Sequence, residues 1–250
     1  MNNIEDKLIE IFCDIDDFNR VFISELQTHQ LSDGTRKRIK PCTMSESEVM
    51  TIVIYFHIMR YRDFKHYYLF HVCRNMRGEF PHLVSYNRFV ELMQSALLPL
   101  IVFLKTQCMG GCTGISFIDS TPLRACHIKR EHSHKVLQGL ATKGQCSIGW
   151  FFGLKLHLII NDKGGILDFV LTPGNIDDRK PLTGSNLLSR IYGKLFGDTG
   201  YISQSLFEQL FIDGIHLITK LRKNMKNSLM HLSDKILLRK RALVETVIDE

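Results

Sequence analysis

A change of pattern at Gly110-Gly111-Cys112-Thr113-Gly114 divides the chain into two regions with different secondary structure. Before it, Ile4, Leu8, Ile11, Phe12, Ile15, Phe18 and Phe22 recur at three- and four-residue intervals, the spacing of an amphipathic helix with an acidic outer face. Gly34 and the basic run Arg36-Lys37-Arg38-Ile39-Lys40-Pro41 break that helix. Thr43 with Glu46, and Ser45 with Glu48, form overlapping capping-box patterns that open a second helix through Val49, Ile52, Val53 and Phe56. Further helices are expected over 64–73 and 86–105.

After the glycines the periodicity shifts toward two. Residues 115–119 read as a short strand ending in a carboxylate, and 154–160 alternate around Lys155 and His157. Asn161-Asp162-Lys163-Gly164-Gly165 is a hairpin turn, and 166–171 return from it. A helix is expected at 187–191, a strand at 194–198, a helix at 203–211 and a strand at 215–219. Ser233 is expected to cap a last helix that runs to the end. The reading is therefore an all-helical region at 1–108 and a mixed α/β domain at 114–250.

Composition limits the function classes. Hydrophobic residues at 44% and charged residues at 23% are close to globular averages, which argues against disorder or a fibrous repeat. Thirty-two basic against 26 acidic residues leave +6, a bias that permits a polyanionic partner without demanding one. The seven cysteines are odd in number and scattered, and the start Met1-Asn2-Asn3-Ile4-Glu5-Asp6 has no basic segment followed by an apolar one. Reduced thiols and a cytoplasmic, nucleoid-associated protein are expected. The apolar stretches 49–59 and 96–104 are shorter than the roughly 20 residues that span a bilayer, so no membrane partner is expected.

Three carboxylates stand out by position. Asp119 ends the first strand before Ser120-Thr121-Pro122, so the chain is expected to turn just after it, and Asp198 ends a later strand before Thr199-Gly200-Tyr201. Glu245 lies on the terminal helix. Functional groups gather at the carboxyl ends of strands in α/β sheets, and an all-oxygen set of this kind suits Mg²⁺ or Mn²⁺. The alternative stays open: Asp before Ser or Thr is also an ordinary turn or Asx cap, and Arg241 four residues before Glu245 makes an ordinary helix ion pair.

The surrounding sequence decides how these residues are grouped. Phe117-Ile-Asp-Ser-Thr-Pro122, Gly149-Trp-Phe-Phe-Gly-Leu-Lys-Leu-His157, Leu171-Thr-Pro-Gly-Asn-Ile-Asp-Asp178, Leu195-Phe-Gly-Asp-Thr-Gly-Tyr201 and Arg239-Lys-Arg-Ala-Leu-Val-Glu-Thr246 follow in order. This series resembles the DDE transposases of bacterial insertion sequences. The resemblance implies a ribonuclease-H-like mixed sheet with flanking helices, preceded by the helical region. It also implies that Asp119, Asp198 and Glu245 are catalytic and hold divalent ions, Mg²⁺ or Mn²⁺, with Arg241 supporting them. The implied activity is cleavage at element ends and transfer of the 3′-hydroxyl to target DNA. The implied partners are double-stranded DNA, as terminal inverted repeats and target, and a second copy of the chain on that DNA. A truncated relative acting as a repressor, or a metal-dependent nuclease of the same fold, are the competing readings. Related enzymes often carry a tyrosine seven residues before the glutamate and a lysine seven after it. Here the first is Leu238 and the second would be position 252, past Glu250, so a C-terminally truncated chain is expected.

Other residues carry weaker expectations. Eight Lys or Arg against one acid between Lys220 and Arg241, and a second cluster over 124–143, suggest contacts to a DNA backbone. Arg222, Lys223, Lys226, Lys129 and Arg130 are the candidates there, with the arm Arg36, Lys37 and Arg38. Lys155 and His157 share one strand face, as phosphate contacts or as an ordinary solvated face. Asp178 is expected to cap a helix beginning near Arg179. Trp150, Phe151 and Phe152 read as strand core. Cys108, Cys112 and Cys126 with His127, His132 and His134 invite a zinc reading, but the spacing is loose and buried unpaired cysteines are the ordinary alternative.

Overall fold

Periodicity in the first region becomes helices that share one core. The computed structural model describes residues 2–32, 42–135, 137–146, 149–184, 186–220 and 230–249. Helix α1 (Asn2–Ser32) turns Leu8 and Ile15 inward, against α2 (Glu46–Ile58). Of the two capping-box patterns, Ser45 with Glu48 is realised: the Glu48 amide donates to Ser45 Oγ at 3.1 Å and the Ser45 amide to Glu48 Oε2 at 2.6 Å. Buried Asn19 ties the two helices by donating to Ser47 Oγ at 3.1 Å, and Ser47 donates on to Asp16. The expected helix over 64–73 is divided into α3 (Phe64–His66), a π-helical stretch Tyr67–Val72 and α4 (Cys73–Asn75). Its wider turn buries Tyr67, Tyr68 and Val72 within six residues, where Tyr68 packs on Phe89 of α5 (Tyr86–Gln107). At 22 residues α5 is long and apolar enough, by length and composition, to cross a bilayer, which corrects the expectation that no segment reaches that length. It buries Phe89, Ala96, Pro99 and Phe103 and exposes Leu97, Leu98 and Ile101. Arg36, Lys37 and Arg38 lie outside the described residues. Met1–Cys108 and Met109–Glu250 form two compact units.

The second unit is a six-stranded mixed sheet: β1 (Ile115–Cys126), β2 (Thr142–Cys146), β3 (Gly149–Asn161), β4 (Ile166–Pro173), β5 (Gly193–Gly197) and β6 (Ile215–Thr219). β1 runs antiparallel to β3, from Ser116 opposite Asn161 to Leu123 opposite Leu154. The far edge of β3 is shared, β2 pairing its first residues and β4 the remainder, both antiparallel. On its other side β1 runs parallel to β5, which is parallel to β6. This is a ribonuclease-H-like mixed sheet. Strand alternation sends Phe117, Leu158, Ile160 and Phe196 to one face, where Leu238 of α8 (Leu232–Lys240) and Val244 of α9 (Ala242–Asp249) cover them. Ile118, Ile159, Leu195 and Leu217 face the other way, onto α6 (Lys180–Gly184) and α7 (Gln204–Ile212).

Three expectations are corrected. β1 does not turn after Asp119 but continues through Pro122 to Cys126, because its pairing with β3 holds on that side. Its pairing with β5 reaches only Phe117, so Pro122 sits where the strand is paired on one side and a missing N–H is tolerated. Residues 187–191 form no α-helix, only a 3₁₀ turn Asn186–Leu188. Ser233 lies inside α8, whose cap position is His231, and the terminal helix is two helices broken at Arg241. The break lets α8 pack on β5 and β6 while α9 packs on β1 and β3. Asn161 closes the β3–β4 turn as expected: its Oδ1 accepts from the amides of Lys163 and Gly165, and its Nδ2 donates to the Gly111 carbonyl.

Val244 is fully buried and pins α9 to the sheet. Val244→Ala is expected to lower stability by about 2 kcal/mol, seen in the urea unfolding midpoint, with faster amide exchange throughout α9.

Candidate active site

The parallel pairing of β1 with β5 ends at Phe117 opposite Phe196. Two residues further along each strand stand Asp119 and Asp198, which by the period of two share the face covered by α8 and α9. Beyond this point β1 and β5 are no longer paired, so a gap opens between them at the carboxyl end of β5, the kind of place where α/β sheets present functional groups, while β1 continues along β3. Asp119 is half-buried beside Leu158 of β3. Its Oδ1 accepts from the Ser120 amide at 2.9 Å. Asp198 is exposed and caps the 3₁₀ turn Thr199–Tyr201, accepting from the Thr199 amide and from Thr199 Oγ1 at 3.1 Å.

Arg241, at the break between α8 and α9, reaches across to both carboxylates. Its Nη1 lies 3.2 Å from Asp119 Oδ2 and its Nη2 2.7 Å from Glu245 Oε1. The guanidinium is 16% exposed, Asp119 21% and Glu245 52%. The intrahelical pair with Glu245 that the sequence suggested is therefore one arm of a bridge between two elements 122 residues apart. Burial raises the Asp119 carboxyl above its ordinary range; the Ser120 amide and Arg241 pull it down, while the charges of Glu245 and Asp198 push it up again. Asp119 thus feels the charges of both other carboxylates and of the Arg241 cation. Among the described residues no three His, Cys, Asp or Glu side chains already converge closely enough to hold a metal ion. Asp119 and Glu245 flank a guanidinium, and the three carboxylates form no ready-made ligand set. The same holds for the zinc reading; Cys112, for instance, packs near Ser116 and the Tyr192 carbonyl, and none of the seven cysteines is in a disulfide.

The residues match the family described as Transposase DDE domain over 109–250, more than half of the chain. The chain belongs to the transposase DDE-domain family. A comparison with curated proteins found no match. Among solved structures it is similar to a piggyBac transposase synaptic complex with hairpin DNA, seen by cryo-EM, at a TM-score of 0.41 and 11% sequence identity. That similarity covers 88% of this chain and 50% of the other, so the chain spans half the length of that transposase.

Behind these carboxylates, on the opposite sheet face, lies a polar cluster that the sequence did not reveal. Lys155, 8% exposed, donates to Asp178 Oδ1 at 2.8 Å and to the Ile176 carbonyl at 2.9 Å. Its ammonium is turned inward onto these partners, which corrects the reading of an ordinary solvated face. Asp178 is its counter-ion and not a helix cap. Its neighbour Asp177 accepts from the Arg179 amide and guanidinium just before α6, and the guanidinium contact lowers its carboxyl to about 2. His157 is fully buried, with Nε2 2.9 Å from Thr172 Oγ1 and no partner for Nδ1 among the described residues. Tyr201 is fully buried at the end of the Asp198 turn, its hydroxyl pushed up by burial, and its ring packs against Gly197 so closely that an added Cβ there would lie 3.0 Å away. The missed signal was two polar residues, at 155 and 157, in an otherwise apolar strand: in a central strand with both faces covered, such residues must be paired inside.

Of the proposed backbone contacts, Lys129 and Arg130 are exposed on a short 3₁₀ helix, Ile128–Ser133. Arg222, Lys223 and Lys226 lie outside the described residues. Trp150 is 59% exposed, not core, whereas Phe151 is buried as expected.

Lys155→Met is expected to cost about 2–3 kcal/mol, because Asp178 loses its counter-ion in a partly dry setting. Adding Asp178→Leu should recover much of that loss, measured by denaturant unfolding. Burial depresses the His157 imidazole to about 4, so the folded state binds it neutral while the unfolded state protonates near 6.5. Its stabilising contribution is complete above pH 6.5 and is lost as pH falls from there toward 4, a span worth on the order of 3 kcal/mol. His157→Gln, which keeps a donor for Thr172, is expected to flatten the decline of stability between pH 6.5 and 4.

Proposed function

We propose that this chain is a DNA transposase that cuts at the ends of a mobile element and joins the 3′-hydroxyl to target DNA, with Asp119, Asp198 and Glu245 as its catalytic carboxylates. The observation that carries the reading is the Arg241 guanidinium held between Asp119 and Glu245, with the charge of Asp198 felt at the same carboxyl. A half-buried carboxyl raised by burial and further by two like-charged neighbours is a place where added positive charge is stabilising. The guanidinium stands where a divalent cation would answer the same need. Three carboxylates are hard oxygen donors of the kind Mg²⁺ and Mn²⁺ prefer, so these residues fit the implied cofactor.

Asp119, Asp198 and Glu245 would hold the ions. Bound divalent ions would activate the attacking water or 3′-hydroxyl and stabilise the departing oxygen of an in-line phosphoryl displacement. The chain's own contribution is placement. Thr199 fixes the Asp198 carboxylate, Ser120 fixes one oxygen of Asp119, and Arg241 turns Glu245 toward Asp119. Tyr201 fills the space under Gly197 and so holds the turn that carries Asp198. Exposed Lys129 and Arg130 would neutralise DNA phosphates without reading sequence.

Asp119→Asn, Asp198→Asn and Glu245→Gln are each expected to reduce strand nicking at least about a hundredfold while DNA affinity stays largely intact. Mg²⁺ or Mn²⁺ should support cleavage, and Ca²⁺ should support binding with little turnover, because its looser coordination misplaces the reacting oxygens. Nicking of labelled duplex, read beside gel-shift affinity, checks both. Activity that survives thorough chelation would rule out the carboxylate–metal mechanism.

A further inference from the structure

The chain has one tryptophan, and it is exposed on the β2–β3 hairpin. Gln145 lies directly opposite Trp150 in the register, and the Lys143 ammonium sits over the indole ring, 5.4 Å from its centroid. The ring borders a groove of about 640 Å³ that the Lys155–Asp178 pair, Arg179 and the Gly200–Ile202 turn also line. The groove therefore runs from the hairpin to the turn that follows Asp198 in the chain.

The groove is held in shape before anything binds. Thr142 and Asn175 exchange hydrogen bonds of 2.9 and 3.1 Å, Lys155 holds the Ile176 carbonyl, and the Arg179 guanidinium reaches the Ile202 carbonyl at 3.4 Å. Leaving a ring of this size in water forgoes a large hydrophobic gain. A flat π-face beside an ammonium, opening onto a mostly polar groove, matches one chemistry well: a nucleobase stacked on the ring with its phosphate near the ammonium. A base still paired in a duplex cannot offer its face to the ring.

We propose that this groove binds an unpaired nucleotide of the DNA substrate, with the base stacked on Trp150 and the adjacent phosphate on Lys143. The proposal rests on the reading of the chain as a DNA transposase and adds a site for opened DNA strand between the β2–β3 hairpin and the turn that follows Asp198.

The single tryptophan makes its own emission the probe, so the test uses the unmodified chain. Titrating the protein with a duplex carrying a short single-stranded tail should quench Trp150 emission, and a blunt duplex of the same length should quench it far less. Fluorescence anisotropy of labelled DNA gives the affinities in parallel. Trp150→Ala is expected to lower affinity for tailed DNA about tenfold more than for blunt duplex, and Trp150→Phe to restore most of that difference. Lys143→Gln should reduce the slope of log affinity against log salt for tailed DNA by about one. Unchanged emission in a complex that anisotropy shows to have formed, with equal tailed-DNA affinity for wild type and Trp150→Ala, would overturn the proposal and leave the transposase reading standing. No anisotropy change with either DNA would overturn the DNA reading itself.

Discussion

The antiparallel pairing of β1 with β3 is the constraint on which the catalytic unit depends. It runs from Ser116 opposite Asn161 to Cys126 opposite Phe152, and its register decides the face on which each side chain emerges. Phe117 and Asp119 are sent toward α8 and α9, while Lys155 and His157 are sent the other way, beneath the loop that ends in Asp178. A slip of one residue would exchange these sets, placing a lysine under the terminal helices and a phenylalanine against the polar cluster. Apolar layers on both faces oppose such a slip, since each alternate residue would lose its burial.

The parallel partner β5 contributes by ending early. Because its pairing with β1 ends at Phe196, Asp119 and Asp198 stand at a gap between these two strands, with Asp119 still paired to β3 on its other side. The third carboxylate arrives from a helix, and the break at Arg241 aims that helix. One guanidinium therefore does two things: it marks the turn between α8 and α9, and it joins Glu245 to Asp119. The polar cluster on the reverse face holds the loops that flank this gap. Lys155 holds Ile176 and Asp178, and Arg179 holds Ile202, so the segment after β4 and the turn after Asp198 are tied to the sheet and to each other.

Much of this was legible from residue order. The helical region, the capping box at Ser45, the turn at Asn161 and the strand 215–219 follow from local chemistry, because caps and tight turns are made by residues near one another in sequence. The five ordered motifs pointed to the family that the match over 109–250 shows. What was misread shares one cause. β1 was expected to stop at Asp119 because Ser-Thr-Pro is a turn sequence, but pairing with a distant strand overrode that preference. Asp178 looked like a helix cap because Arg179 follows it, yet its partner is 23 residues away. Trp150 looked like core because its neighbours are aromatic, and only the position of the hairpin leaves it in water.

The sequence by itself determined which residues could do chemistry: two aspartates each following an apolar strand segment, a glutamate and an arginine one helical turn apart, and a lysine and histidine two apart on a strand. Those are matters of side-chain type and local period. Only the tertiary structure decided which of them meet. Strand order, register and the place where β5 departs are set by burying apolar faces across segments far apart in the chain, and no local spacing encodes them. Arg241 thus proved to be the link between Asp119 and Glu245 and not only a helix ion pair, and Lys155 an internal counter-ion and not a surface charge.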